Sequence, residues 1–208
     1  MKKIIAVLCA ATLAMAALFA QTPEEILEKM VTELNRGETE GLYMIMEMKI
    51  PILGSIPTKC YTKGEKMRLE VNIMDVKTVE ISDGKTDWSY KSDSNELTIT
   101  NSGVSGSSDA DDGAAMMGAV TEGYDCTLSK ETDTAWYISC KKQKSNTNKD
   151  DPKKIDIVVS KKTYLPLTFS AKISGITMVI KDVAIGVSES KVAYNPAEFA
   201  GATVIDKR

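Results

Sequence analysis

Apolar residues recur along this chain at two periods, and those periods divide it into one helix and a long run of strands. From Thr22 to Arg36 the spacing is helical, with Ile26, Leu27, Met30, Val31 and Leu34 on one face. Thr22 is a good N-cap, Pro23 suits the first turn, Glu25 completes a capping box, and Gly37 is placed to end the helix. Beyond it the period falls to two. Met44, Met46, Met48 and Ile50 alternate with Ile45, Glu47 and Lys49, and Met67, Leu69, Val71 and Ile73 alternate with Lys66, Arg68, Glu70 and Asn72. Val79 and Ile81 precede an Asp83-Gly84 hairpin signal, Trp88 and Tyr90 follow it, and Leu97 and Ile99 continue the pattern. It resumes at Tyr124, Cys126 and Leu128, at Trp136, Ile138 and Cys140, and at Ile155, Ile157 and Val159. Leu165, Leu167, Phe169, Ala171 and Ile173 come next, then Ile176, Met178 and Ile180, then Val183 and Ile185. Strands joined mainly by short turns predict an α+β protein built on a large antiparallel meander of about ten or eleven strands with one apolar face.

Two segments interrupt the alternation. Asn101 to Gly113 is rich in Ser, Gly and Asp, and Ala114 to Val120 then reads as a short helix presenting Met116, Met117 and Val120. Lys141 to Lys154 is a polar, charge-mixed hairpin connection. Asp109, Asp111, Asp112 and Gly113 lack the spaced ligands and closing Glu of a calcium loop, and read as acidic residues at the start of the short helix. No metal site and no cofactor is expected.

The layers do not balance. A meander of this size needs its apolar face covered, and only one good helix and one short one are available. Incomplete cover leaves a groove lined by aliphatic, aromatic and Met side chains. Met44, Met46 and Met48 on one strand face sharpen that reading. Met specifies a rigid core poorly, and its flexible thioether suits a surface that accepts variable apolar shapes. Ordinary core methionines are the competing reading.

Composition narrows the function classes. Met1 to Ala20 reads as an export signal: Lys2 and Lys3, an apolar run from Ile4 to Leu18, and small residues up to Ala20. The run is short of the about 20 residues of a membrane span. Lipidation at Cys9 is the alternative, but Val7-Leu8 stand where small residues belong. Residues 21–208 are then a single domain. The chain carries 26 basic and 29 acidic residues, which argues against nucleic acid and against adsorption to anionic lipid through a basic patch. There is no His, which removes His-dependent triads, general bases and zinc sites. With no nucleophile motif either, an enzyme is not expected. Export also implies an oxidising compartment. A hairpin that pairs Leu128 with Ile138 sets Cys126 opposite Cys140 within disulfide reach, the alternative being two separate buried thiols. Cys60 is then the odd cysteine.

The words of the chain add a resemblance. Ile81 to Tyr90, ISDGKTDWSY, is similar to the S-D-G-K-x-x-W-x-Y hairpin of LolA-like outer-membrane lipoprotein carriers, and GATVIDKR from Gly201 to Arg208 resembles that family's C-terminal strand and charged tail. The resemblance implies an incomplete, strongly curved barrel whose concave face is roofed by helices, with lipoprotein acyl chains between. It further implies a periplasmic monomer that receives cargo from an inner-membrane release complex and passes it to an outer-membrane acceptor. On that reading Met44, Met46, Met48, Met67, Leu69, Val71, Ile73, Ile157, Val159, Leu167, Phe169, Met178 and Ile180 line the acyl cavity, and Ile26, Met30, Leu34, Met116 and Met117 belong to the lid. One element departs from the family. Its lid-latching arginine on an early strand has no counterpart in Lys63-Gly64-Glu65-Lys66, and Arg68 lies further on. The same fold also serves as a sensor domain in envelope-stress regulation, which is the second reading.

Overall fold

In the computed structural model of the protein, residues 21–103 and 122–208 are described. The expected export signal and the lid residues Met116 and Met117 lie outside them. Helix α1, Pro23–Asn35, has the expected capping box: Thr22 Oγ1 accepts from the Glu25 amide at 3.2 Å and a Glu25 carboxylate oxygen accepts from the Thr22 amide at 3.2 Å. Gly37 does not end the chain's helical run. It opens a short second turn, α2 (Gly37–Glu40), and the exit falls at Gly41, whose φ of 89° suits only Gly. The reason for Gly37 is space, since a Cβ there would stand 2.7 Å from the Cβ of Leu42.

The strands are β1 (Leu42–Ile50), β2 (Gly54–Lys63), β3 (Lys66–Ile73), β4 (Val76–Ser82), β5 (Thr86–Lys91), β6 (Glu96–Asn101), β7 (Tyr124–Glu131), β8 (Ala135–Lys142), β9 (Lys154–Ser160), β10 (Pro166–Ile173), β11 (Ile176–Ile185) and β12 (Thr203–Asp206). They form one 12-stranded sheet in the order β12-β6-β5-β4-β3-β2-β1-β11-β10-β9-β8-β7. Every neighbouring pair is antiparallel except β12, which runs parallel to β6. The β1–β11 pairing joins the two halves of the meander. β7 and β12 remain as edges, so the sheet is an open half-barrel rather than a closed one. Between β11 and β12 the chain makes α3 (Glu189–Val192) and a 3₁₀ turn (Pro196–Phe199).

The expectation of one apolar face needs correction, because the apolar side of the sheet changes over between β3 and β4. Arg68 stands opposite Ile81, Ile81 opposite Trp88 and Trp88 opposite Ile99, while Leu69 stands opposite Glu80, Glu80 opposite Ser89 and Ser89 opposite Thr98. Directly paired residues share a face. Val79, Ile81, Trp88, Tyr90, Leu97 and Ile99 therefore point away from the helix side, and there they form a second core with Tyr194, Phe199 and Ala202.

That second core is roofed by the C-terminal segment. Tyr194 stacks on Trp88 with ring centroids 4.6 Å apart, and Phe199 packs on Tyr90 at 5.2 Å. Buried Arg68 pins the strap: Nη1 donates to Glu198 at 2.9 Å and Nε donates to Glu70 at 2.7 Å. The Glu198 carboxylate holds the guanidinium even further above its ordinary value, and Arg68 in turn lowers Glu198. Lys63 Nζ adds a bond to the Val187 carbonyl at 3.2 Å, and Lys66 pairs with Glu189.

Candidate functional site

The helix side of β7–β11 and β1–β3 is where the candidate ligand residues meet. Cross-strand register assembles them into rows. One row runs Leu128, Ile138, Ile157, Phe169, Ile180, Met46, Thr58, Val71, Thr78. The next, nearer the β1–β2 turn, runs Cys126, Cys140, Ile155, Ala171, Met178, Met48, Ile56. Apart from Thr58 on β2, the rows are apolar as far as β3 and then turn polar, through Thr78, Glu80, Ser89 and Thr98. Ser82 Oγ donates to Asp87 Oδ1 at 2.6 Å in that polar part.

Helix α1 lies on the apolar part and divides it into two zones. Ile26, Leu27, Met30 and Leu34 are buried in one cluster with Met44, Ile157, Val159, Phe169 and Ile180, so five of the expected cavity residues form a closed core with three of the expected lid residues. Met46 and Leu69 pack against the margin of that cluster. Met48, Met67, Val71 and Met178 are half-buried and Ile73 is exposed. Leu167 departs from its expected place. A β-bulge between Pro166 and Thr168 breaks the alternation, and its side chain is exposed. The crevice between α1 and β7, lined by Glu24, Leu27, Glu28, Tyr124 and Cys126, holds about 170 Å³. Ligand sites usually span about 300–1,000 Å³, so this conformation presents α1 seated rather than lifted.

The helix is held by few bonds outside its apolar stripe. Gln21 Nε2 donates to the Tyr164 hydroxyl at 3.3 Å and Lys29 Nζ stands 5.2 Å above the Tyr164 ring. At the other end the Gly64 amide donates to the Glu38 carbonyl at 2.7 Å. Arg68 takes no part, because its side chain is on the opposite face of the sheet. Cys126 and Cys140 face each other across β7 and β8 and are joined by a disulfide. Cys60 lies buried beside Met44 in the register of β1 and β2, and burial pushes its thiol up to about 11. Sequence reasoning named Ile157 but missed Ile56, Thr58, Leu128, Ile138, Ile155 and Ala171 as members of these rows. β2 carries Gly54, Pro57 and Lys59 among few apolar residues, so no alternation marked it.

Among the described residues no group of three or more His, Cys, Asp or Glu is arranged to hold a metal ion, and no helix is long and apolar enough to cross a membrane. No family model matches the chain, and no curated protein does. Several solved structures are similar to it. An uncharacterized conserved protein from Thermus thermophilus is 15% identical over 90% of this chain and 100% of its own, with a TM-score of 0.46. A LolA superfamily protein from Nitrosomonas europaea is 12% identical over 86% of this chain and 100% of its own, with a TM-score of 0.36. The MucA/MucB complex of Pseudomonas aeruginosa contains a chain 10% identical over 83% of this one and 61% of its own, with a TM-score of 0.44.

Proposed function

We propose that the protein is a periplasmic carrier that shields acyl chains of lipidated proteins between α1 and the helix side of the half-barrel. The observation that carries this reading is the pair of apolar rows across up to eight strands, interrupted only by Thr58 and covered, among the described residues, by one amphipathic helix. The mechanism is exchange of one apolar cover for another. Seated, α1 buries Ile26, Leu27, Met30 and Leu34; lifted, it exposes a floor of Met, Ile, Phe and Val on which an acyl chain takes its place. Each CH₂ removed from water contributes about 0.8 kcal/mol, so one or two chains outweigh the loss of the helix contacts. The methionines at the margin adapt to chains that differ in length and branching. The lipoprotein motifs of the hairpin and the C-terminal strand support the cargo class, and Met1–Ala20 supports export.

Mass spectrometry of lipid extracted from protein purified out of a periplasm tests the proposal. Acyl-bearing cargo should accompany the wild type and be lost from Met46→Asp. A stable, exported protein that binds a regulatory protein and no lipid would favour the sensor reading instead.

A further inference from the structure

Three neighbouring turns at one end of the sheet carry exposed large apolar residues at or beside their tips. The order β4-β3-β2-β1-β11-β10 sets the β1–β2, β3–β4 and β10–β11 turns side by side, as the pairs Ile50–Gly54, Ile73–Val76 and Ile173–Ile176 close each hairpin. Ile52 is 106% exposed, Met74 83% and Leu53 62%, Ile73 and Ile176 flank their turns exposed, and Asp75, Ser174 and Gly175 are exposed beside them. The remaining hairpin turns carry Gly64-Glu65, Asp83-Gly84-Lys85, Ser92 to Asn95, Thr132-Asp133-Thr134, the polar connection 143–153 and Lys161-Lys162-Thr163. Ile52 also holds φ at 76° and Met74 at 49°, a region that a β-branched side chain such as Ile rarely enters. Nothing in the fold is gained by an Ile there whose side chain touches no neighbour.

Basic residues stand directly behind these tips. Lys49, Thr177 and Lys172 form one cross-strand row on the outer face, and Lys77 pairs with Asn72 beside the β3–β4 turn. All three lysines are exposed. The acidic groups nearby are Asp75 in the β3–β4 turn and Glu47, which is engaged by Lys181 at 2.5 Å. Apolar tips with a lysine belt one residue behind match the layering of a bilayer surface, where acyl chains lie beneath anionic headgroups.

We infer that this rim docks the protein on an anionic lipid bilayer, with Ile52, Leu53 and Met74 inserted and Lys49, Lys77 and Lys172 at the headgroups. A partner protein would need a matching pocket for each of the two separate apolar tips, whereas a bilayer accepts both together. The rim borders the half-buried Met48, Ile56 and Met178 on the helix side. A chain leaving the bilayer there would meet the apolar floor without crossing water.

Vesicle co-sedimentation tests this with protein lacking residues 1–20, so that their apolar run contributes nothing. Wild type should bind vesicles of phosphatidylethanolamine with about one quarter phosphatidylglycerol, and binding should weaken in about 0.5 M salt. The double variant I52S/L53S should bind at least about tenfold more weakly while its melting temperature is kept, since both side chains are exposed. K49E/K172E should lose the preference for phosphatidylglycerol over phosphatidylcholine. Wild-type protein that ignores vesicles, or I52S/L53S that binds like wild type, overturns the inference. So does concentration-dependent self-association abolished by I52S/L53S without vesicle binding, which would make the rim a contact between copies of this chain. None of these outcomes depends on whether cargo is carried in the groove.

Discussion

Arg68 shows how one residue's chemistry is fixed by which face it occupies. In a strand that alternates Met67, Leu69, Val71 with Lys66, Arg68, Glu70, it belongs to the polar set, and that set faces the second core. There the guanidinium is buried and forked between Glu198 and Glu70, which ties the C-terminal strap to the sheet. Arg68→Met should cost about 2–3 kcal/mol, at the low end for breaking a buried ion pair because Glu198 keeps partial contact with water. The sign of the pH effect follows from Glu198, whose folded pKa is depressed first of all by Arg68. Its contribution is fully present above the ordinary carboxylate value and is lost as pH falls through the folded one. Denaturant titrations below about pH 4 should therefore show wild type losing stability faster than Arg68→Met. Cys60 makes a second residue-scale case. With its thiol buried and pushed up to about 11, it should resist alkylation at pH 8 in the folded protein and react only on unfolding. Phe169 and Met46 make a third. Phe169→Ala, in the closed core, should cost about 3–5 kcal/mol, whereas Met46→Asp, at the margin of α1, should remove acyl binding at a smaller cost in stability.

At the scale of elements, α1 and the strands from β8 to β11 were legible in the sequence, because a capping box and strict alternation are local signals. β2 was not legible. Its backbone pairs on both sides with β1 and β3, and its helix-side face carries only Ile56, Thr58 and Cys60, too weak an alternation beside Gly54, Ser55, Pro57 and Lys59 to mark a strand. The face on which each alternating run lands was equally hidden. Val79, Ile81, Trp88 and Tyr90 alternate as cleanly as Met67 and Leu69, and only the register of β3 against β4 reveals that they point the other way. The strap that covers them is short and irregular, with Tyr194 and Phe199 as its aromatic anchors, so it carried no periodic signature. The expected groove residues likewise split by contact with α1, something no strand pattern encodes. Thr22→Ala should weaken the seated helix by about 1 kcal/mol through its lost cap, raising amide exchange in α1 more than in the sheet. Reducing the Cys126–Cys140 bridge, 14 residues apart in sequence, should cost up to about 3 kcal/mol, expressed in the β7–β8 hairpin at the sheet's edge.

Among the described residues the sheet is covered on opposite faces by α1 and by the C-terminal strap, and these covers are fastened differently. The C-terminal strap is stacked, ion-paired and continued by β12 on the β6 edge, whereas α1 is held mainly by an apolar stripe and a few bonds at its ends. On the proposed carrier reading, a cover held by nonspecific apolar contact is the one that acyl chains would replace. Hydrogen exchange measured peptide by peptide, with and without a diacylated lipopeptide, tests that claim most directly. The account predicts that the lipopeptide accelerates exchange across Pro23–Asn35 while leaving the strap and the strands protected. A lipopeptide that does not bind, or one that binds while α1 stays as protected as before, would contradict it.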